Sequence, residues 1–281
     1  MEKITNINSS DINIFGDWIN STVKVSKVPF KHITIDNFLD KNYYNLLQNV
    51  LPSKPTDDWW KYENPIEVKY ALDNFDLYDP IVKNVFNALS HDTVIDRFRE
   101  MFNIPNLEYD PYCHGGGLHM HPRLGRLNMH LDYEKHPITN KQRRLNIIIY
   151  LNEEWNNDWN GDTQLWDSEM KKCMVKSYPK SNTALLFITT ENSWHGVPEI
   201  ILCPENTFRR TLAYYYVSDL ENNKDIDKKG ADKSGYRTKA VFVKRPNDVY
   251  DERMEQLYRI RPHRLITPDD MKSIYPEWTI H

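Results

Sequence analysis

The spacing of hydrophobic and polar positions changes its period close to residue 108. Before that point, apolar residues recur three and four positions apart, which predicts a helix from about Lys41 and two more between 79 and 102. The stretch 29–39 alternates well enough for a strand. Beyond residue 108 the pattern is one of short β segments separated by clusters of Gly, Pro, Asn and Asp. The predicted strands are 124–133, 143–152, 163–167, 172–178, 183–189 and 208–218.

Closely spaced strands without helices between them indicate an antiparallel sandwich or barrel, and the helices before them are expected to cover one face. We therefore predict a mainly β fold with packed helices. Residues 1–218 form the main domain, divided into supporting elements at 29–110 and a β core at 111–218. After a charged linker, residues 219–281 are predicted to form a C-terminal extension. It contains a strand-like 240–243, a helix from about Asp248 and a helix capped by Thr267.

Composition and charge narrow the classes of function. The 281 residues are 40% hydrophobic and 27% charged, as in a globular protein, and the net charge of −4 gives no sign of a nucleic-acid binder. The three cysteines are too few and too scattered for a disulfide framework. The chain starts without a basic and apolar leader, and its longest apolar runs span five residues, whereas a membrane helix needs about 20. These features predict a cytoplasmic protein without a membrane partner.

One strand carries two metal-ligand residue types on the same face. From Arg126 to Tyr133 polar and apolar residues alternate strictly, so His130 and Asp132 point the same way, beside Asn128. An imidazole and a carboxylate side by side are two of the three ligands in the 2-His-1-carboxylate triad of non-haem iron. A lone His-x-Asp can be a surface pair, but the alternation favours a site inside the β core.

The third ligand should be a histidine on a later strand. After residue 136 the chain has only His195, His263 and His281, and His195 alone lies within the β region. The alternative for His195 is a half-buried side chain packed between Trp194 and Pro198.

Five motifs in this order carry a family resemblance. They are His130-x-Asp132, Tyr150-Leu151-Asn152 with Trp155, Gly161 through Trp166, His195, and Arg209-Arg210-Thr211. Over about residues 29–218 the chain resembles Fe(II)/2-oxoglutarate-dependent oxygenases of the prolyl-4-hydroxylase-like branch. The resemblance implies a double-stranded β-helix core (jelly-roll, cupin-like) supported by the N-terminal helices. It also implies a dioxygenase that hydroxylates a C–H bond with O₂ and releases succinate and CO₂, with ascorbate as a supporting reductant.

The resemblance further implies which residues hold the cofactors. His130, Asp132 and His195 would be the catalytic Fe(II) ligands, and Arg209, Tyr150 and Thr211 would bind 2-oxoglutarate. A guanidinium suits the distal carboxylate of this cosubstrate. Arg209 and Arg210 are neighbours on a strand and point to opposite faces, and the family's Arg-x-Ser/Thr spacing selects Arg209.

The sequence does not identify the substrate. The candidates to face it are Asn128, His119, His121, Trp166 and Tyr215. Loops at about 57–75, 110–123 and 153–162 are expected to recognise a peptide or protein, or else a small molecule, sugar or nucleotide.

Three further expectations accompany this interpretation. No nucleic-acid partner is expected, because Tyr215 stands where nucleic-acid demethylases of the superfamily carry a second Arg. The C-terminal extension is expected either to dock on the core or to form a homodimer contact. The competing hypothesis from another class is a β-barrel binding module that has lost oxidative chemistry.

Overall fold

A computed structural model describes residues 11–221, 230–249 and 251–278, so the predicted charged linker lies almost wholly outside the described residues. The strands are β1 (His32–Ile35), β2 (Trp60–Asn64), β3 (Glu67–Leu72), β4 (Glu108–Tyr109), β5 (Gly117–His121), β6 (Arg126–Leu131), β7 (Gln142–Tyr150), β8 (Thr163–Trp166), β9 (Cys173–Ser177), β10 (Thr183–Ile188), β11 (His195–Val197), β12 (Arg209–Ser218) and β13 (Val241–Phe242). The helices are α1 (Lys41–Val50), α2 (Pro80–Leu89), α3 (Asp92–Phe102), α4 (Glu252–Ile260) and α5 (Pro268–Ile274).

The strands form one antiparallel sheet with the order β1-β10-β7-β12-β5-β3-β6-β11-β8-β9. The sheet curls almost into a barrel, because side chains of β7 and β12 line the same cavity as side chains of β6 and β11. Strand β3 joins the two halves by pairing with both β5 and β6. The mainly β, jelly-roll-like prediction is confirmed.

Helices α1, α2 and α3 cover the outer face of the β7–β12 half. Leu47, Phe86 and Phe98 from the three helices are fully buried in one cluster with Ile147 and Tyr214 of the sheet. Burying such side chains contributes about 1.5–3 kcal/mol each relative to leaving them exposed. The helices therefore fix the outer face of the sheet and leave the inner face to the cavity.

The prediction of a loop over 57–75 is wrong. This stretch forms the β2–β3 hairpin, in which Trp60 pairs with Ala71 and Asn64 with Glu67. Polar and apolar residues alternate along the hairpin, and the polar face lines a cavity and not the bulk solvent. Such polarity is also typical of a loop, which explains the wrong prediction. The predicted loop at 110–123 likewise contains β5, which begins at Gly117. The φ of Gly117 is +101°, and a Cβ there would lie 2.0 Å from the carbonyl oxygen of Leu72.

The C-terminal segment lies on the β6 edge of the core. Strand β13 pairs with β6, with Val241 opposite Leu131 and Phe242 opposite His130. Phe242 is buried with Leu257 of α4 in a separate apolar cluster. No helix in the three described stretches combines the length and the apolar character that a membrane crossing requires.

Candidate metal and cosubstrate site

Two neighbouring strands bring the predicted metal ligands together. His130 on β6 and His195 on β11 are direct ladder partners, and their ring centroids are 4.3 Å apart. Asp132 follows β6, with its carboxylate oxygens 3.7 Å from Nε2 of His130 and 3.5 Å from Nε2 of His195. One potential ligand atom from each of the three residues lies within 4.8 Å of the others, and no other such group of three occurs among the described residues.

Hydrogen bonds orient both imidazoles for metal binding. Nδ1 of His130 lies 2.9 Å from the Asn128 carbonyl oxygen, and Nδ1 of His195 lies 2.8 Å from that of Ser193. A carbonyl can only accept, so each Nδ1 carries the proton and each Nε2 presents a lone pair toward Asp132. Burial lowers the pKa of both rings, to about 3 for His130, so both are neutral near pH 7. Two neutral imidazoles and a carboxylate fit Fe(II).

Two residues of β7 hold the Asp132 carboxylate. Nη1 of Arg143 lies 3.1 Å from Oδ1, and Nδ2 of Asn146 donates to Oδ2 at 2.6 Å. Although burial opposes ionisation, the Arg143 guanidinium keeps the pKa of Asp132 well below its usual value. The guanidinium is itself stacked against the rings of Tyr133 and Tyr215, 3.7 and 3.4 Å from their centroids. Asp132 is therefore ionised and fixed in orientation.

The buried guanidinium of Arg209 lies on β12, in the other half of the sheet from β6 and β11. Arg209 is 2% exposed, donates from Nε to the Gly161 carbonyl at 2.6 Å and from Nη2 to Thr163 Oγ1 at 2.8 Å. It forms no ion pair with a described carboxylate, and burial lowers its pKa. An isolated buried cation is costly unless a ligand neutralises it. Gly161 permits this approach, because its φ is +88° and a Cβ would lie 3.2 Å from Cδ of Arg209.

Hydroxyl groups border this guanidinium. Tyr150 donates its hydroxyl to the Ser177 carbonyl, and the same oxygen lies within hydrogen-bond distance of Thr163 Oγ1, both at 3.0 Å. Thr211 lies opposite Tyr150 on the ladder and lines the cavity. Arg210 points to the other face, where it donates to Gln48 and Leu151. The set of one unpaired guanidinium and adjacent hydroxyls fits a carboxylate-bearing cosubstrate.

The three ligands and Arg209 line one cavity of about 310 Å³. His119, His121 and Tyr215, three of the residues predicted to face the substrate, also line it. Both imidazoles are buried, and neither nitrogen of His121 has a hydrogen-bond partner among the described residues. Burial, together with the charge of Lys69, lowers the pKa of His119 to about 3.

Two predicted substrate residues lie outside the cavity lining. His130 pairs with His195 and Leu127 pairs with Val197, so β6 has one more residue than β11 between the two pairs, which is a β-bulge. The bulge breaks the alternation, and Leu127 lines the cavity instead of Asn128. Asn128 donates to the Tyr258 hydroxyl at 3.0 Å. Trp166 is three residues after the cavity-lining Thr163 and faces the other side of β8, in a cluster with Met129 and Met170.

Sequence patterns missed the side chains that support the ligands. Arg143, Asn146 and Thr163 lie on predicted strands, but nothing in their spacing relates them to Asp132 or Arg209. The alternation Leu145, Ile147 and Ile149 does indicate which residues of β7 are covered by the helices. A polar residue on the other face, such as Asn146, was the available signal.

Comparison with known proteins agrees with this geometry. Residues 116–218 match the family model described as the 2OG-Fe(II) oxygenase superfamily. A prolyl-4-hydroxylase of Pseudomonas putida superposes with a TM-score of 0.50 at 13% identity, covering 67% of this chain and 93% of that one. A Trichoplax adhaerens prolyl hydroxylase, solved with a hypoxia inducible factor peptide, gives 0.48 at 20% identity over 66% and 83%. The viral collagen prolyl hydroxylase of Paramecium bursaria Chlorella virus-1, in a 2-oxoglutarate complex, gives 0.43 at 14% over 67% and 96%.

No curated protein matches the sequence. The family match covers the strands that carry all three candidate ligands and Arg209, and the Pseudomonas putida enzyme shares the fold around them. Residues 116–218 are therefore similar to the 2OG-Fe(II) oxygenase superfamily, and the chain has a prolyl-4-hydroxylase-like fold.

Proposed function

We propose that this protein is an Fe(II)- and 2-oxoglutarate-dependent hydroxylase in which His130, Asp132 and His195 hold the iron. The observation that carries the proposal is the convergence of two Nε2 lone pairs and one ionised carboxylate. A non-catalytic binding module has no need for such a set, since two imidazole lone pairs directed at a buried carboxylate are unfavourable until a cation lies between them.

Arg209 is proposed to bind the distal carboxylate of 2-oxoglutarate. Its guanidinium lacks a described carboxylate partner, and Thr163 and Tyr150 place hydroxyl groups beside it. Thr211 lines the same part of the cavity. This end of the cavity therefore offers a charge and hydroxyl groups that match a carboxylate.

When bound, iron, 2-oxoglutarate and O₂ would supply the oxidation that hydroxylates a substrate C–H bond, with succinate and CO₂ as coproducts. The protein's part is to bind, to orient and to exclude water. Arg143 and Asn146 hold the Asp132 carboxylate in place. The carbonyl acceptors of Asn128 and Ser193 hold each imidazole in the tautomer that binds metal.

The test is succinate release by purified protein with Fe(II), ascorbate and 2-oxoglutarate, alongside the visible charge-transfer absorption of an iron-bound 2-oxo acid under anaerobic conditions. Asp132→Ala should reduce both by at least about 100-fold, because losing a ligand costs more than losing its supporting residues. Asp96→Ala, on the exposed face of α3, is the matched control and should retain both. Equal signals in Asp132→Ala and the wild type would reject the assignment.

The substrate is proposed to be hydroxylated at a C–H bond near the metal ligands. The fold shared with prolyl-4-hydroxylases makes prolyl peptides the first candidates, and small molecules the second. Mass spectrometry for a gain of one oxygen atom, against peptide and metabolite libraries, distinguishes the two.

A further inference from the structure

A second group of cations lines the same cavity as Arg209. Glu67 of β3 lies at its centre, with Oε1 3.2 Å from Nζ of Lys69 and Oε2 3.4 Å from both Nε and Nη2 of Arg261. We call Glu67, Lys69 and Arg261 the cation cluster. Two cations share one carboxylate, so the cluster keeps one excess positive charge.

The excess charge is buried. Glu67 is 2% exposed and Arg261 is 7% exposed, and the Lys69 side chain is 13% exposed. Although burial opposes its ionisation, the two cations lower the pKa of Glu67, so the carboxylate is charged near pH 7. A net charge removed from water is unfavourable unless a counter-charge joins it.

The remaining cavity does not supply that counter-charge. Its lining carries the cations Lys69, Arg143, Arg209, Lys239 and Arg261 against the carboxylates Glu67, Asp73 and Asp132. Lys239 pairs with no described carboxylate. Iron and 2-oxoglutarate would carry two charges each, of opposite sign, so their binding leaves this excess in place. A third component, with negative charge, would balance the cavity.

The cation cluster is close to the candidate metal ligands. The Phe242 ring stacks on His130 with centroids 5.0 Å apart and planes at 21°, and the Arg261 guanidinium carbon lies 5.3 Å from the same ring. Arg209 and Arg261 have different partners, since Arg209 binds Gly161 and Thr163. The cluster is therefore a separate charge centre one aromatic ring away from a metal ligand.

The cluster also has donors to spare. Lys69 has three N–H donors and a single described carboxylate partner, with the Tyr62 ring 5.0 Å from its Nζ. Arg261 directs both of its contacts to one oxygen of Glu67, at the long distance of 3.4 Å. Donors in a low-dielectric cavity gain most from an ionised acceptor.

We propose that the cation cluster binds an anionic group of the substrate, a carboxylate or a phosphate, and so selects acidic substrates for the oxygenase. The proposal rests on the proposed function for its catalytic meaning. Binding of the anion at Lys69 and Arg261 places the rest of the substrate across Phe242 toward His130. The anion can belong to a small acid or to an acidic side chain of a peptide, and both present the same chemistry to the two cations.

The first experiment measures anion binding directly. Inorganic phosphate and acetate are titrated by calorimetry into the full chain loaded with Fe(II) and saturating 2-oxoglutarate, without O₂. The wild type is expected to bind at least one of them, and Arg261→Gln should weaken that binding about tenfold or more, as expected for loss of a hydrogen bond to a charged group. Arg253→Gln, an exposed arginine of α4, is the matched control and should bind as the wild type does.

A second variant has the opposite expected sign. Glu67→Gln removes the internal carboxylate that competes for both cations, so it should tighten phosphate or acetate binding. A purely structural role for the cluster predicts loss or no change in both variants. Thermal unfolding of each variant establishes that it is folded, and Lys69→Met replaces Arg261→Gln if the latter unfolds.

Matched acid and amide ligands then identify the source of the anion. Small acids and peptides with an acidic residue near proline are each compared with their neutral amides. Preference for the acid in either series supports the proposal. Equal binding of acid and amide throughout, no wild-type binding of phosphate or acetate, or unchanged binding in Arg261→Gln would overturn it.

The failure of this proposal is distinguishable from failure of the proposed function. Iron-dependent 2-oxoglutarate binding with no anion preference would reject only the cation cluster as a substrate site. Absence of 2-oxoglutarate binding would reject the oxygenase assignment. Weaker 2-oxoglutarate binding in Arg261→Gln would place Arg261 in the cosubstrate site and overturn the proposal.

Discussion

The cavity holds cations at two sites, which we call its first end (Arg209) and its second end (the cation cluster), and it holds them in different ways. At one end Arg209 stands alone, fixed by a carbonyl and a hydroxyl and without a described carboxylate partner. At the other end Glu67 already holds Lys69 and Arg261. The charge of Arg209 can be neutralised only by a ligand, whereas Glu67 already neutralises part of the charge of Lys69 and Arg261. We therefore expect tight cosubstrate binding at Arg209 and weaker, more adjustable binding at the cation cluster.

The two ends also come from different parts of the chain. Arg209, Thr163 and Tyr150 all lie within residues 116–218, which match the family. Glu67, Lys69, Phe242 and Arg261 lie outside that range, in the β2–β3 hairpin and the C-terminal segment. The residues proposed to bind the cosubstrate thus lie within the segment that matches the family, whereas the residues proposed to select the substrate lie outside it.

The first prediction, with the largest expected effect, concerns whether the C-terminal segment packs on β6 and so brings Arg261 into the cavity. Phe242→Ala should lower the free energy of unfolding by about 3–5 kcal/mol, because the ring is buried against His130 and Leu257. Denaturant unfolding measures it. Val249→Ala, at an 88% exposed position of the same segment, should change stability by less than about 0.5 kcal/mol. If Phe242→Ala unfolds like the wild type, β13 does not pack on β6 in solution and the comparison between the two ends fails.

The second prediction concerns Arg209 at the first end and its contribution to 2-oxoglutarate binding. Arg209→Met should weaken 2-oxoglutarate binding by about 2–5 kcal/mol, since it removes the charge that pairs with the ligand. Stability without ligand should stay the same or rise, because a buried cation with no described carboxylate partner is replaced by an apolar side chain. Calorimetry and thermal unfolding measure the two quantities.

The neighbour of Arg209 supplies the control. Arg210→Met removes the same charge from the opposite face of β12, where it contacts Gln48 and Leu151, so 2-oxoglutarate affinity should be unchanged. If Arg210→Met weakened the binding and Arg209→Met did not, the assignment of the two arginines would be reversed.

Much of the first end could be predicted from the sequence. Regular alternation places His130 and Asp132 on one face, and the strand geometry separates Arg209 from Arg210, because period two holds wherever the strand is regular. The same rule failed at Asn128, where a bulge turns Leu127 into the cavity. The prediction also failed over 60–72, because the polar residues that alternate with apolar ones there face a cavity, and their polarity is also typical of an exposed loop.

The second end could not be predicted for a different reason. Glu67 and Arg261 are 194 residues apart and meet only because β3 bridges the two layers and α4 ends beside it. Nothing local in either segment signals the partner, so charge pairing at this distance requires the folded structure. Arg143 and Asp132 are likewise joined by the pairing of strands, not by their spacing.

The smallest expected effect decides which hydroxyl serves the cosubstrate. The family resemblance implies Thr211, whereas the structure places Thr163 Oγ1 between Arg209 and Tyr150. Thr163→Val keeps the side-chain shape and removes the hydroxyl that holds the Arg209 guanidinium, so 2-oxoglutarate should bind about 1 kcal/mol more weakly, or about fivefold. Thr211→Val is the matched control: its hydroxyl makes no hydrogen bond with a described residue, and the affinity should change less than twofold. Both dissociation constants come from the same calorimetric titration. A larger loss in Thr211→Val than in Thr163→Val would show that the cosubstrate reaches the β5 side of Arg209, and the first end of the cavity would then extend toward His119, which pairs with Thr211 on the ladder.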